Sequence, residues 1–223
     1  AFLVIYPPEV LVAIAGVLGL LVGSFLNVVI YRLPVIMERD FRVQAKAILE
    51  GETAALEELA SQDTFNLMVP RSRCPKCNSQ ISALHNIPVI SWLMLRGKCA
   101  QCRTPISARY PIIEAITGAL TAFVIYKFGV NWAGLGGILL VWSLIALTMI
   151  DYDTQLLPDQ ITLPLLWLGI VFSLLPHAGG FPAESLEASV SGAIAGYFAL
   201  WLVYWGFKLA TGKEGMGYGD FKL

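Results

Sequence analysis

Trp132-Ala-Gly-Leu-Gly-Gly-Ile-Leu-Leu-Val-Trp-Ser-Leu-Ile-Ala-Leu-Thr-Met-Ile-Asp151 decides the class of this chain. No charged residue occurs from 128 to 150, and then Asp151 stands directly against the apolar run. A helix of about 20 apolar residues crosses the hydrocarbon of a bilayer. A carboxylate at bilayer depth is costly, so an acidic residue at the edge of such a run is a candidate functional residue.

Four further runs have similar character: 10–31, 111–126 with Glu114 in its first turn, 161–175, and 188–207. The runs at 111–126 and 161–175 are short for a span. The whole chain has 223 residues, 57% hydrophobic and 14% charged, with a mean hydropathy of +0.68. That balance is too apolar for an ordinary soluble domain. A net charge of −1 argues against nucleic acid as a partner. The expectation is an all-α polytopic membrane protein with the lipid bilayer as its surroundings.

The placement of charge sets the orientation. No Lys or Arg precedes the first run, which is also too long for a signal peptide. Arg32 is the first basic residue, and 11 of the 15 Lys and Arg residues fall between Arg32 and Arg109. The positive-inside rule makes that loop cytoplasmic. Alternation then returns Asp151 to the cytoplasmic face, puts 176–184 outside, and brings Lys208, Lys213 and Asp220 back inside. Both aspartates are expected on one side. The expected parts are a first transmembrane helix in 1–33, a cytoplasmic domain in 34–110, and a membrane domain in 111–223. The chain begins with Ala, and Phe221-Lys222-Leu223 reads as the start of a further segment, so a longer protein is expected.

Within the loop, 37–67 is rich in Ala, Leu and Glu and predicts a solvated surface helix or two, broken at Glu50-Gly51. Then come Cys74-Pro-Lys-Cys77 and Cys99-Ala-Gln-Cys102, the four cysteines of the chain, with 21 residues between the pairs. Two Cys-x-x-Cys knuckles resemble a zinc ribbon, in a gap slightly beyond the usual one. Four thiolates close a tetrahedral site, the pattern of structural rather than catalytic zinc. A cytoplasmic setting disfavours the alternatives, disulfides or redox knuckles. His85 between the knuckles reads as a polar loop residue. The apolar stretch 87–95 is expected to pack on the membrane surface, on the first helix, or inside the ribbon.

After the third run stand Asp151, Asp153 and, behind Pro158, Asp159. Asp159 reads as the N-cap of the next helix and Asp153 as a solvated loop residue. Asp151 is favoured for chemistry. Its expected partner is Asp220, in Gly215-Met-Gly-Tyr-Gly-Asp220, where alternating glycines let the backbone approach closely. Two neighbouring carboxylates hold one proton between them. The ionised one can deprotonate water while the other protonates a scissile carbonyl, with no acyl-enzyme. A serine route needs a nearby histidine. The two histidines are His85 and His177, the latter expected on the outer side.

Four motifs now stand in order. They are Gly23-Ser-Phe-Leu-Asn-Val-Val-Ile-Tyr-Arg-Leu-Pro34, the two cysteine knuckles, Ile150-Asp151 through Leu157-Pro158-Asp159, and Gly217-Tyr-Gly-Asp220-Phe-Lys-Leu223. Together they resemble the bacterial type IV prepilin peptidases, membrane aspartic proteases of the Gly-x-Gly-Asp type, across essentially the whole chain. The resemblance implies an inner-membrane endopeptidase. It would cut the basic leader from type IV prepilins and type II secretion pseudopilins after a glycine, on the cytoplasmic side. It carries the catalytic pair onto Asp151 and Asp220, and structural zinc onto Cys74, Cys77, Cys99 and Cys102. It also implies N-methylation of the new N-terminus from S-adenosylmethionine, and C-terminal helices beyond this chain. Asn27 and Arg32 are candidates for lining a pocket, or else for bonding between helices and snorkelling to the interface. Glu114 is a candidate partner for a basic leader, or else for Arg109 or its own helix start. The competing function classes are a transporter with a carboxylate relay and a non-catalytic zinc-bearing scaffold.

Overall fold

A computed structural model of the chain describes residues 6–61, 63–174, 186–213, 215 and 217. The expected outer loop at 176–184, with His177, lies outside these residues, as does Asp220. Seven α-helices occur among them: α1 Pro8–Glu50, α2 Glu52–Ser61, α3 Ile90–Met94, α4 Arg109–Phe128, α5 Trp132–Thr154, α6 Asp159–Leu174 and α7 Leu186–Thr211. A 3-10 turn at Ala83–Asn86 precedes α3. No strand forms among the described residues beyond two isolated bridges, Arg73 with Gln80 and Lys98 with Pro105.

Helices α1, α4, α5 and α7 are long and apolar enough to cross a membrane, whereas α6 has 16 residues and is shorter. Their apolar side chains are turned outward along whole faces, for example Ile112, Ile116 and Phe123 on α4 and Leu202 and Val203 on α7. Such faces do not persist in water. The chain is an all-α polytopic membrane protein.

Helix α1 departs from expectation. The apolar run at 10–31 predicts a span followed by a separate surface helix. One helix of 43 residues instead runs through Pro34. At 1.5 Å per residue it is about 65 Å long, twice the hydrocarbon thickness. Proline removes one backbone donor. Pro34 itself and, before it, Leu26, Ile30, Arg32 and Leu33 are all buried, so packing fixes the helix up to and including the proline. Gly51, at φ 95°, ends it as expected. Lys46 then pairs with Glu58 at 2.6 Å, tying α2 to α1.

The chain forms two compact units. One comprises 17–119 and holds most of α1, the cysteine module and the start of α4. There α1 and α4 meet at Gly23, where a Cβ would lie 2.8 Å from the Glu114 Cα. Asn27 donates across the seam to the Tyr110 carbonyl at 3.2 Å. The other unit comprises 1–16 and 120–223. Ala15, Val124, Ile125 and Ile138 form its core, with Leu11, Phe128 and Val141 around them. Trp142 donates to the buried Thr121 hydroxyl at 2.9 Å. Asn131 caps α5 by accepting from the Gly134 amide at 2.9 Å, where a Cβ on Gly134 would strike the Gly129 carbonyl. Helix α6 packs on α5 and on α7.

Candidate functional site

The four thiols come together. All four Sγ atoms lie within 4.8 Å of one another, and Cys74 and Cys102 are 3.7 Å apart. Zinc–sulfur bonds of about 2.3 Å put tetrahedral sulfurs about 3.8 Å apart, so this spacing fits a zinc site with four cysteine ligands. The cysteines are free thiols, which does not accord with disulfides.

Each knuckle is built the same way. The Cys74 carbonyl accepts from the Asn78 amide at 2.9 Å, and the Cys74 amide donates to the Ser79 carbonyl at 2.9 Å. In the second knuckle the Cys99 carbonyl accepts from Arg103 at 3.0 Å, and the Cys99 amide donates to Thr104 at 2.8 Å. The residue after each second cysteine is left-handed, Asn78 at φ 54° and Arg103 at φ 57°. One bridge closes each loop, at Arg73–Gln80 and at Lys98–Pro105. Each second cysteine also meets a hydroxyl two residues on: Cys77 with Ser79 at 2.9 Å and Cys102 with Thr104 at 3.2 Å. The Thr104 hydroxyl, and after it the Thr104 backbone, pull the Cys102 thiol down to about 6. The Cys99 thiol is also lowered, first by the backbone of Cys102. Thiolates, not thiols, bind metal, so the turn of the second knuckle prepares its two sulfurs for a cation. His85 lies in the 3-10 turn between the knuckles and is not among the clustered ligands.

Asp151 occupies the last turn of α5 and is half-buried. Its carbonyl accepts from both the backbone and the side chain of Gln155, each at 2.8 Å, and Gln155 ends the helix at φ 54°. Fully buried Ile150 seats the helix end beside it. The stripe Leu140, Leu144 and Leu147 lines an apolar cleft of about 220 Å³ between α5, α6 and α7. Asp151 follows Leu147 by four residues, so it continues that stripe on the same helix face. Tyr152 and Asp153 are exposed, but Asp153 lies in the last turn of α5 rather than in the expected loop, because the helix runs on to Thr154.

Asp159 differs from the expected cap. The Pro158 carbonyl accepts from Ile161 at 2.9 Å and Thr162 at 3.1 Å, so Asp159 is the first helical residue of α6. Proline's fixed φ suits it to this junction, and the acid still favours the positive helix end. Helix α7 ends at Thr211, followed by Gly212 at φ 69°. In its last turns Lys208 lies 5.4 Å over both the Tyr204 and Trp205 rings, a pattern suited to a membrane–water boundary. The Gly-x-Gly-Asp motif follows, with Asp220 outside the described residues.

The remaining polar candidates take structural partners. Arg32 is buried and donates to the Asn66 carbonyl at 2.8 Å and the Pro70 carbonyl at 2.6 Å, with the Phe65 ring 5.5 Å away. It clamps the segment after α2 onto α1 rather than snorkelling. Asn27 takes the interhelical role through Tyr110. Glu114 is buried and accepts from the Val89 amide at 2.7 Å. That partner is 25 residues away in sequence, and nothing local in the motif announces it.

Residues 17–128 match the family model of the bacterial peptidase A24 N-terminal domain, and 138–223 match the type IV leader peptidase family. A protein of Stutzerimonas stutzeri is 54% identical over 97% of this chain and 71% of its own length. One of Aeromonas hydrophila is 53% identical over 92% and 68%, and one of Neisseria gonorrhoeae 56% identical over 95% and 71%. Each of the three is named prepilin leader peptidase/N-methyltransferase. No solved structure matches. With both parts of the chain matched, and with relatives more than half identical, the chain belongs to the type IV leader peptidase family.

Proposed function

We propose that this chain is a prepilin-processing enzyme that removes the basic leader of type IV prepilins and type II secretion pseudopilins after a glycine. Its place is the bacterial inner membrane, with the active site toward the cytoplasm. Asp151 and Asp220 form the catalytic dyad. One carboxylate, ionised, takes a proton from water, and the other, protonated, donates to the carbonyl oxygen as the water attacks. The two titrate as a pair. The observation that carries this reading is the position of Asp151, half-buried in the last turn of α5, at the end of a leucine stripe that lines an apolar cleft. A substrate with an apolar helix behind its scissile bond would run along that stripe and present its start to Asp151.

The second activity is methylation of the new N-terminus, with S-adenosylmethionine supplying the methyl group. It rests on the names of the relatives. The loop domain at 34–110 carries zinc on Cys74, Cys77, Cys99 and Cys102, and 111–223 carries the peptidase. With all four positions held by sulfur, the ion has no open site for substrate, so its role is to hold the knuckles together.

The test uses the full-length protein in lipid with a prepilin, following leader loss. Asp151→Asn and Asp220→Asn are each expected to lower cleavage by about 100-fold or more. Cleavage at the parental rate in either variant removes that residue from the dyad. A carboxylate-relay transporter would instead move ions without any prepilin present.

A further inference from the structure

The segment between the knuckles carries an outward apolar face. Leu84, Ile87, Ile90, Leu93 and Met94 are all exposed within eleven residues, Leu93 by 61% and Met94 by 79%. Ile90, Leu93 and Met94 share one face of α3 by their spacing. The opposite side of the segment is tied down. Trp92 donates through Nε1 to the Ile106 carbonyl at 3.1 Å, and Ile106 donates to the Gly97 carbonyl at 2.7 Å. Gly97, at φ 67°, lies under the Trp92 ring, where a Cβ would come within 2.8 Å. The segment therefore presents its apolar face as a fixed surface.

Its height is set by Glu114. Val89, which precedes α3, is held at φ 59°, a strained conformation for a β-branched residue, and donates its amide to the Glu114 carboxylate at 2.7 Å. Glu114 lies five residues inside α4, about 7.5 Å along the axis from Arg109. Gly23 of α1 contacts the Glu114 backbone at the same level. Both α1 and α4 are spans, and Ile112 on α4, exposed by 53%, faces outward nearby in the sequence. The start of α3 is thus level with the first turns of a membrane-spanning helix, not above them. Directly after α3, Arg96 and Lys98 are exposed, as is Arg103.

We propose that α3 and its approach, 84–94, are a lipid-inserted wedge. Its apolar face enters the headgroup–acyl boundary beside α4, and Arg96, Lys98 and Arg103 meet anionic headgroups. Three features select lipid as the occupant. The face is continuous in level with the lipid-facing surface of α4. Its apolar residues are followed by cations, the order an interfacial segment requires. It is anchored by a buried carboxylate and a strained residue. The wedge would hold the zinc module against the bilayer surface.

The experiment places a nitroxide at Met94 through an encoded ketone side chain, leaving the cysteines untouched. The full-length protein is reconstituted in phosphatidylethanolamine–phosphatidylglycerol vesicles. Matching labels at Ile112 and at Ala100, on the second knuckle, report lipid and water. Oxygen concentrates in hydrocarbon and a nickel chelate in water. Met94 is expected to show the oxygen-rich ratio of Ile112, and to lose part of it when phosphatidylglycerol is omitted. A ratio equal to that of Ala100 overturns the proposal. Protection from both reagents also overturns it, because protein rather than lipid then covers the face. Unchanged zinc content in each labelled protein shows that the module is intact.

Discussion

Gly23→Ala is expected to destabilise the chain even though alanine is the better helix former by about 1 kcal/mol. The added Cβ would lie 2.8 Å from the Glu114 Cα and 3.0 Å from the Thr117 Cβ, where ordinary contact begins near 3.4 Å. Two helix backbones cannot rotate away as a flexible side chain can, so α1 and α4 must separate by at least about 0.6 Å. A gap of that size forfeits about a quarter to a half of each contact's attraction. It also stretches the Asn27–Tyr110 hydrogen bond, 3.2 Å in the parent. Overpacking costs about 1–3 kcal/mol and a hydrogen bond contributes about 0.5–1.5. After the helix gain, the net loss is about 1–3 kcal/mol. The unfolding midpoint in lipid nanodiscs, followed by tryptophan fluorescence, is expected to fall by about 2–10 °C. Gly196→Ala on α7, whose Cβ would meet nothing within 4 Å, is the companion variant and is expected to hold or raise the midpoint. A Gly23→Ala midpoint at or above the parent's would refute the close-approach argument.

The metal site makes three further predictions. Cys74→Ser is expected to remove bound zinc from the purified protein, measured by elemental analysis, and a parent free of zinc would end the assignment. Thr104→Val removes the hydroxyl that lowers the Cys102 thiol. The depressed thiol favours the folded module at and above the ordinary thiol range, and this contribution fades as pH falls through about 6. Removing the hydroxyl raises the thiol, so protons compete better and half-release of metal should move to higher pH in an acid titration. Gly97→Ala combines a φ of 67° with a clash on the Trp92 ring and is expected to loosen the second knuckle, seen as faster zinc loss to a chelator. Trp142→Phe removes the hydrogen bond to the buried Thr121 hydroxyl, 2.9 Å in the parent. A loss of about 0.5–1.5 kcal/mol in unfolding free energy is expected.

The place of the apolar helices and the grouping of the four cysteines were readable from sequence, because both are local. A charge-free run of sufficient length needs no partner to declare itself, and Cys-x-x-Cys aims two thiolates by its own turn. The aspartates were singled out for the same reason, each standing where an apolar run ends. What tertiary structure decided were the partners of polar groups brought together by distant chain. The bond from Asn27 to Tyr110 and the use of Glu114 to hold Val89 depend on helices meeting at Gly23, and the burial of Arg32 against 66 and 70 depends on the segment after α2 folding back onto α1. Continuation of α1 through Pro34 is likewise beyond local propensity, which reads a proline as a stop, whereas here Leu33 and Pro34 are themselves packed in. Hydrophobic length is a property of one segment; satisfaction of a buried donor or acceptor is a property of two, and only the fold says which two meet.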